Sequence, residues 1–162
     1  MNLAHECLEK TTARIGTRTA MIACDTGETI TYLQFNSRVN SIANALVAMG
    51  IRKGDRVAIY LPNIPEFLIS VLAIMKTGAV YVPFNIMNKR QEIEYVANNC
   101  GARILIAATE AAQQNVLPIM GKLNALEKVI LVGDIPDDVN SEEIFSFDEV
   151  LAGHSDDFTA ID

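Results

Sequence analysis

Little cysteine, little histidine and a deficit of positive charge limit what this chain can do. It has three cysteines, Cys7, Cys24 and Cys100. They are odd in number and widely spaced, with no Cys-x-x-Cys, which excludes a disulfide framework and a zinc site. Free thiols in a reducing compartment are the expected state. The two histidines, His5 and His154, stand near opposite ends and read as surface residues, not as a ligand or base. Thirteen Lys and Arg against twenty Asp and Glu leave a net charge of −7. Such a chain lacks the basic stripe that neutralises phosphates, so nucleic acid is not an expected partner. The two basic pairs, Arg52-Lys53 and Lys89-Arg90, read as solvated turn or helix-end charges.

Long apolar runs are missing too. The longest, Phe67 to Met75, is half of the ~20 residues that a membrane span needs, and Lys76, Gly78 and Pro83 interrupt any extension. The amino terminus carries charge early, without the apolar centre of a secretory signal. A cytoplasmic protein is the expectation. No Gly-x-Gly-x-x-Gly, Gly-x-x-x-x-Gly-Lys or Gly-x-Ser-x-Gly occurs, which removes the familiar phosphate loops and the hydrolase elbow. Glu92 and Glu94 lie two apart on an expected helix and cannot act as a pair. The residues themselves assign no catalytic and no metal-ligating position.

What remains is apolar material in quantity. Half of the 162 residues are apolar and 20% are charged. A single domain of this length can bury roughly 70% of its unfolded surface. Residues 3–18 suggest a short helix. Residues 19–31 suggest a small hairpin turning at Asp25-Thr26-Gly27-Glu28. Tyr32, Phe35, Val39, Ile42, Leu46 and Met49 recur at spacings of three and four, one face of a helix over 32–49. Thr31 and Gln34 suit a capping box, and Gly50 suits a left-handed stop.

Beyond it, strand and helix alternate. Strands are expected at 56–61, 79–83, 103–107 and 128–132. Between them lie a helix capped by Asn63 and buried on several sides, a helix capped by Asn88 and Gln91 and ended at Gly101, and a helix from Thr109 restarted at Pro118. The strands read as continuous apolar runs, as a parallel sheet covered on both faces requires. The expected fold class is α/β: a doubly wound, mostly parallel sheet flanked by helices, with a small amino-terminal hairpin, in a single subdomain over 1–162. From 133 the chain is acidic (Asp134, Asp137, Asp138, Glu142, Glu143, Asp148, Glu149) with one short helix at 146–152. Residues 153–162 read as a linker or frayed end.

Two constellations stand out: Thr29 to Phe35, and Met75 to Asn85. Each has an architectural explanation, a strand end with a helix cap in the first, and in the second a helix stop followed by a strand that Pro83 terminates. Their order is more specific than either alone. Ile30-Thr31-Tyr32-x-x-Phe35, Lys53-Gly54-Asp55-Arg56-Val57-Ala58, Asn63-x-Pro65-Glu66, Lys76-Thr77-Gly78-Ala79-Val80-Tyr81-Val82-Pro83 and Glu92-x-x-Tyr95 together resemble the start of an adenylate-forming enzyme, the superfamily of acyl-CoA synthetases, peptide-synthetase adenylation domains and luciferases. Val82-Pro83-Phe84-Asn85 and its continuation to Tyr95 are more similar to fatty-acid–CoA ligases than to amino-acid-activating domains.

The resemblance implies a parent enzyme that uses ATP, Mg2+ and CoA. A carboxylate, of a medium- or long-chain fatty acid, becomes an acyl-adenylate, and the CoA thiol then displaces AMP. The family's Ser/Thr/Gly-rich loop ending in Lys would fall soon after Asp162, and the segment 1–162 matches none of its catalytic positions. No catalytic, cofactor-binding or metal residue is therefore carried over. The basic side chains that approach the CoA nucleotide in some relatives would fall at Thr109 to Gln114, where there is neither Arg nor Lys. The segment alone is expected to be inactive and to hold no cofactor. Its partner would be the remainder of its own ligase chain, with self-association possible through exposed apolar surface. The alternative is a free-standing α/β binding or regulatory module without catalysis, with a nucleotide or CoA at the carboxyl ends of its strands, on loops 61–65, 83–88 and 107–110.

Overall fold

The computed structural model describes residues 2–24, 26–137, 139 and 141–161. Asp25 of the expected turn, Asp138 of the acidic stretch and Asp162 at the end of the expected linker lie outside them. The first segment winds as one π-helical turn, His5–Glu9, and continues as α1, Lys10–Ile15. The hairpin follows as β1 (Thr19–Ile22) and β2 (Thr29–Thr31), antiparallel, with a bulge between Thr19 and Met21.

Helix α2 spans Tyr32–Ala48. Its capping box is formed: the Gln34 amide N–H donates to Thr31 Oγ1 at 3.3 Å, and the Thr31 N–H donates to Gln34 Oε1 at 2.9 Å. Phe35, Val39, Ile42 and Leu46 are buried. Gly50 ends the helix at φ 95°, which only glycine adopts without strain.

Five parallel strands then form one sheet: β3 (Arg56–Tyr60), β4 (Val80–Pro83), β5 (Ile104–Ala108), β6 (Lys128–Val132) and β7 (Ile144–Ser146), in the order β4-β3-β5-β6-β7. The chain runs from β3 through α3 (Pro65–Lys76) to the edge strand β4. It returns through α4 (Arg90–Cys100) to pair β5 on the other side of β3. Helix α5 (Thr109–Asn115) and a 3₁₀ turn (Leu117–Lys122) lead to β6, and β7 passes into α6 (Phe147–Ala152).

Alternation along the strands divides the core into two layers. Val57, Ile59, Ile104, Ile106 and Ile130 face α2, α3 and α6. Ala58, Tyr60, Leu105, Ala107, Val129 and Leu131 face α4 and α5. The doubly wound expectation and the small hairpin are thus met.

Several boundaries differ from the sequence reading. Asn63 does not cap α3; Ile64 occupies that position, extended at φ −116° and ψ 164°. Pro65 at the first helical position forces its predecessor out of the helical region. Likewise Asn88 donates its N–H to the Asn85 carbonyl within a turn. Lys89 is the N-cap of α4, and its N–H is met by the Glu92 carboxylate at 2.8 Å. A carboxylate suits the positive end of a helix better than the amide of Gln91 does. In α3 Ile69, Ala73 and Ile74 are buried, Phe67, Val71, Leu72 and Met75 are half-buried, and Leu68 is 47% exposed.

Strand β7 was not anticipated. It is three residues in an acidic stretch and exists by pairing with β6. Nor are the last residues frayed. Asn40 and Asn44 donate to the carbonyls of Asp156, Ser155 and Asp157 at 2.7–2.9 Å, and the Ile161 N–H donates to the Lys76 carbonyl at 2.8 Å.

Ile106, fully buried in the central part of the sheet, is expected to cost about 2–5 kcal/mol of stability on truncation to Ala. Urea unfolding followed by circular dichroism checks this; a loss below about 1 kcal/mol would contradict the central packing.

Candidate functional site

In a parallel sheet every strand delivers its following loop to the same edge. The order β4-β3-β5 therefore brings the three loops 61–65, 83–88 and 107–110 side by side at the carboxyl edge. The chain reverses its winding at β3, so this edge carries the crevice where ligands of open α/β sheets bind. The alternative reading's three loops are thus neighbours.

Their chemistry is uneven. Loops 61–65 and 83–88 enclose an open groove of about 580 Å³, walled by Leu61, Pro62, Phe67, Tyr81, Pro83, Phe84 and Ile86, with Asn63 and Asn85 as its polar groups. Phe67 and Tyr81 meet edge to face, 6.3 Å between ring centres. A second groove of about 430 Å³ shares Asn63 and Phe67 and runs toward the hairpin between Met21, Ile22, Cys24, Ile64 and Leu68. Ile22 is 62% exposed and Met87 73% exposed. Val80 on the edge strand is half exposed as well. Among the described residues, both grooves are lined by uncharged side chains.

Loop 107–110 joins neither groove. Thr109 starts α5 there, and its hydroxyl donates to the Val132 carbonyl at 3.2 Å, tying β5 to β6. The basic pair Lys89-Arg90 borders a separate polar hollow with Gln91, Glu92, Gln114 and Asn115. The Arg90 Nε–H is spent on the Gln114 carbonyl at 2.9 Å. Arg52-Lys53 lies in the turn before β3, where the Arg52 N–H donates to Asp55. His5 Nδ1 meets Glu9, and His154 Nδ1 lies 2.9 Å from the Val150 carbonyl, so each serves its own segment. Among the described residues, no three metal-ligating side chains cluster. The three cysteines carry free thiols, with Cys24 on the rim of the hairpin groove.

One organising residue escaped the sequence reading. Tyr60, at the end of β3, is fully buried. Its hydroxyl lies 2.8 Å from the Asn88 carbonyl and 3.2 Å from that of Ile86, and accepts from the Asn115 amide at 3.3 Å. One oxygen thus pins loop 83–88 to β3 and α5. Its ring also meets Phe84 edge to face at 6.5 Å. A single phenol in an otherwise aliphatic strand run was the available signal, because a buried hydroxyl must find partners.

This arrangement can bind apolar groups. Among the described residues it holds no acid–base pair and no cation facing the grooves. The comparisons with known proteins agree with its topology. Residues 8–158 match the family described as AMP-binding enzyme. The chain belongs to that family. Over 98 residues it is 36% identical to the crotonobetaine/carnitine–CoA ligases of Escherichia fergusonii and Shigella flexneri, an alignment covering 59% of this chain and 19% of each relative. The chain is thus matched over about a fifth of the length of these curated relatives. The crystal structure of the anthranilate CoA ligase AuaEII with anthranoyl-AMP superposes with a TM-score of 0.88 at 28% identity, over 98% of this chain and 29% of that one. A long-chain-fatty-acid–CoA ligase from Archaeoglobus fulgidus shares the fold, with a TM-score of 0.86 at 24% identity, over 99% of this chain and 31% of its own. No helix among the described residues of this family member is long and apolar enough to cross a membrane.

Burial pushes the hydroxyls of Tyr60 and Tyr81 above the ordinary tyrosine range. Alkaline titration followed by absorbance is expected to show a late phenolate step, smaller by one phenol in Tyr60→Phe. A raised pKa means that the stabilisation is present below the unfolded value and lost as pH rises through the folded one. An unchanged late step in Tyr60→Phe would contradict the buried phenol.

Proposed function

We propose that this chain is the amino-terminal portion of an ATP-dependent acid–CoA ligase. The whole enzyme condenses a carboxylate with ATP to an acyl-adenylate and pyrophosphate, and the CoA thiol then displaces AMP. The observation that carries this reading is the coincidence of family match and fold over nearly the whole chain, with relatives named as CoA ligases. The acid is assigned as a medium- or long-chain fatty acid, on the likeness of Val82-Pro83-Phe84-Asn85 and the stretch to Tyr95 to fatty-acid ligases. An uncharged, aromatic-walled groove at the carboxyl edge is compatible with an apolar substrate.

The division of labour follows from the side chains. Adenylation concentrates negative charge at the α-phosphate, and that charge needs cations, magnesium and convergent N–H donors. The described lining of the grooves supplies no cation and only Asn63 and Asn85 as amide side chains, so no step of the chemistry is routed through its residues. ATP, Mg2+ and the CoA phosphates are assigned to residues beyond 1–162, and the segment alone is proposed to be inactive. Its own share is a rigid sheet edge, a loop held in place by Tyr60, and apolar surface. That surface is offered to the remainder of the ligase chain and, when it is missing, to a second copy. The proposed location is the cytoplasm, where ATP and CoA are found.

Pyrophosphate release by the protein that contains this segment and its downstream frame is the test. It is expected with ATP and octanoate or palmitate, to exceed that with crotonobetaine or anthranilate, and to be absent from residues 1–162 alone. Faster turnover of the small polar acids would overturn the fatty-acid assignment. Micromolar binding of CoA or ATP to residues 1–162 by calorimetry would favour the free-standing binding module instead.

A further inference from the structure

The motif Lys76-Thr77-Gly78 contains a charge that the proposed reaction does not use. Lys76, at the end of α3, is fully buried, although lysine is among the residues least often found there. Its ammonium meets three groups. It donates to Asn36 Oδ1 at 2.9 Å and Asn40 Oδ1 at 2.6 Å, and it pairs with Glu9 Oε1 at 2.5 Å. A buried ammonium is tolerable only with such partners.

Its effect reaches further through Asn40. An ammonium offers only donors, so the amide must turn its oxygen toward Lys76. The Asn40 NH₂ group is thereby aimed outward, where it donates to the Asp156 carbonyl at 2.8 Å. One helical turn on, Asn44 donates to the carbonyls of Ser155 and Asp157. Ser37 donates to the Asp156 carboxylate at 3.0 Å. The Lys76 backbone carbonyl accepts the Ile161 N–H. Asn2 spends its two amide hydrogens on the carbonyls of Met75 and Ile161, each at 2.7 Å. The segment 155–161 is thus held mainly by side-chain amides. Its apolar anchor is the half-buried Phe158, and Ile161 is 40% exposed. The sheet, in contrast, is held by aliphatic packing on both faces.

We propose that Glu9, Lys76 and Asn40 form a latch that fastens the strap 155–161 to α2 and to the amino-terminal helix, and that opening it frees the strap while the sheet stays folded. The proposal is independent of which acid, or whether any acid, the parent protein activates. Segments held by few apolar contacts open at lower free energy than the core that carries them. The charged groups around the latch are His5, Glu6 and Lys10 on the first helix, Lys53 beside Gly78, and Asp156 and Asp157 on the strap. Burial pushes the Glu9 carboxyl up, but Lys76 and His5 outweigh it and hold it below the ordinary glutamate range. A lowered folded pKa makes the fastening complete above the unfolded value and lost as pH falls through the folded one. The latch is therefore shut at neutral pH and opens on acidification.

Amide hydrogen exchange on the intact protein reads the strap and the sheet separately. Glu9→Gln removes the charge and keeps the shape; Lys76→Met removes the ammonium and keeps the length. In each, the strap's reporter, the Ile161 amide that donates to the Lys76 carbonyl, is expected to exchange at least about tenfold faster, as loss of a hydrogen bond to a charged group implies, with β3, β5 and β6 still protected. Acidification of the unaltered protein is expected to reproduce this after correction for intrinsic exchange, and Glu9→Gln to lack the pH step. Should Lys76→Met fail to fold, Asn40→Ala, which alters no charge, takes its place with the same expectation. Unchanged strap exchange in Glu9→Gln, or strap and sheet exchanging together in both variants, overturns the latch.

Discussion

Strand β3 pairs in parallel with a neighbour on each side, and the rest of the architecture follows from that. Parallel neighbours cannot be joined by a tight turn, so each pairing requires a crossover, and a crossover helix covers a face of the sheet. Because β4 lies on one side of β3 and β5 on the other, the chain must pass back across it. Helix α3 accordingly packs on one face and α4 on the other. Val57 and Ile59 point into one layer, and Ala58 and Tyr60 into the other. A strand that is buried on both faces has no place for charge. That is why Val57 to Leu61, beyond the Arg56 at the strand's start, reads as an apolar run and not as an alternation. The same reversal of winding creates the crevice at the carboxyl edge, so the groove is a consequence of the topology.

The elements whose signals are local were legible in the sequence. The face Tyr32, Phe35, Val39, Ile42, Leu46, Met49 is a period that only a helix satisfies, and Thr31 with Gln34 supplies its start. Gly50 and Gly101 mark helix ends because both take positive φ. What escaped was set at a distance or by competition between neighbours. Ile144-Phe145-Ser146 is too short to show a period and becomes a strand only against β6. Asn63 has the right chemistry for a cap, but the proline two residues on moves the boundary to Ile64. The polar tail 153–161 carries no pattern because its partners, Asn2, Asn40 and Asn44, are far away in the chain.

The candidate site was legible as a location and not as chemistry. Parallel strands imply a common carboxyl edge, so loops 61–65 and 83–88 could be placed together before any geometry was known. Loop 107–110 belongs to the same edge, but Thr109 closes it against Val132. That the grooves are uncharged depends on which side chains turn inward, and the apolar wall of Phe67, Tyr81 and Phe84 comes from three separate segments. Tyr60 shows the same limit. Its position in a strand could be read, but the three polar atoms around its hydroxyl come from loop 83–88 and from the end of α5.

The ion pairs that tie the strand starts together lie at one edge of the sheet. At the amino ends of β3, β5 and β6, the Arg103 guanidinium bridges Asp55 at 2.5 Å and both carboxylate oxygens of Glu127, and also donates to the Gly50 carbonyl at 3.0 Å. At the approach to β4, on that same side, Lys76 is paired with Glu9. Structural ions therefore fasten the amino edge, where each strand begins. At the opposite edge, loop 83–88 is held to β3 by the neutral hydroxyl of Tyr60. Grooves whose described lining carries no fixed charge place no unpaired ion beside the apolar surface, and so carry no cost of desolvating ions when that surface is covered. With the ion pairs of Arg103 and Lys76 at the amino edge, the grooves of the carboxyl edge are left to pack against apolar material. A segment that supplies scaffold and apolar surface, and leaves phosphate chemistry to other residues, is served by that division.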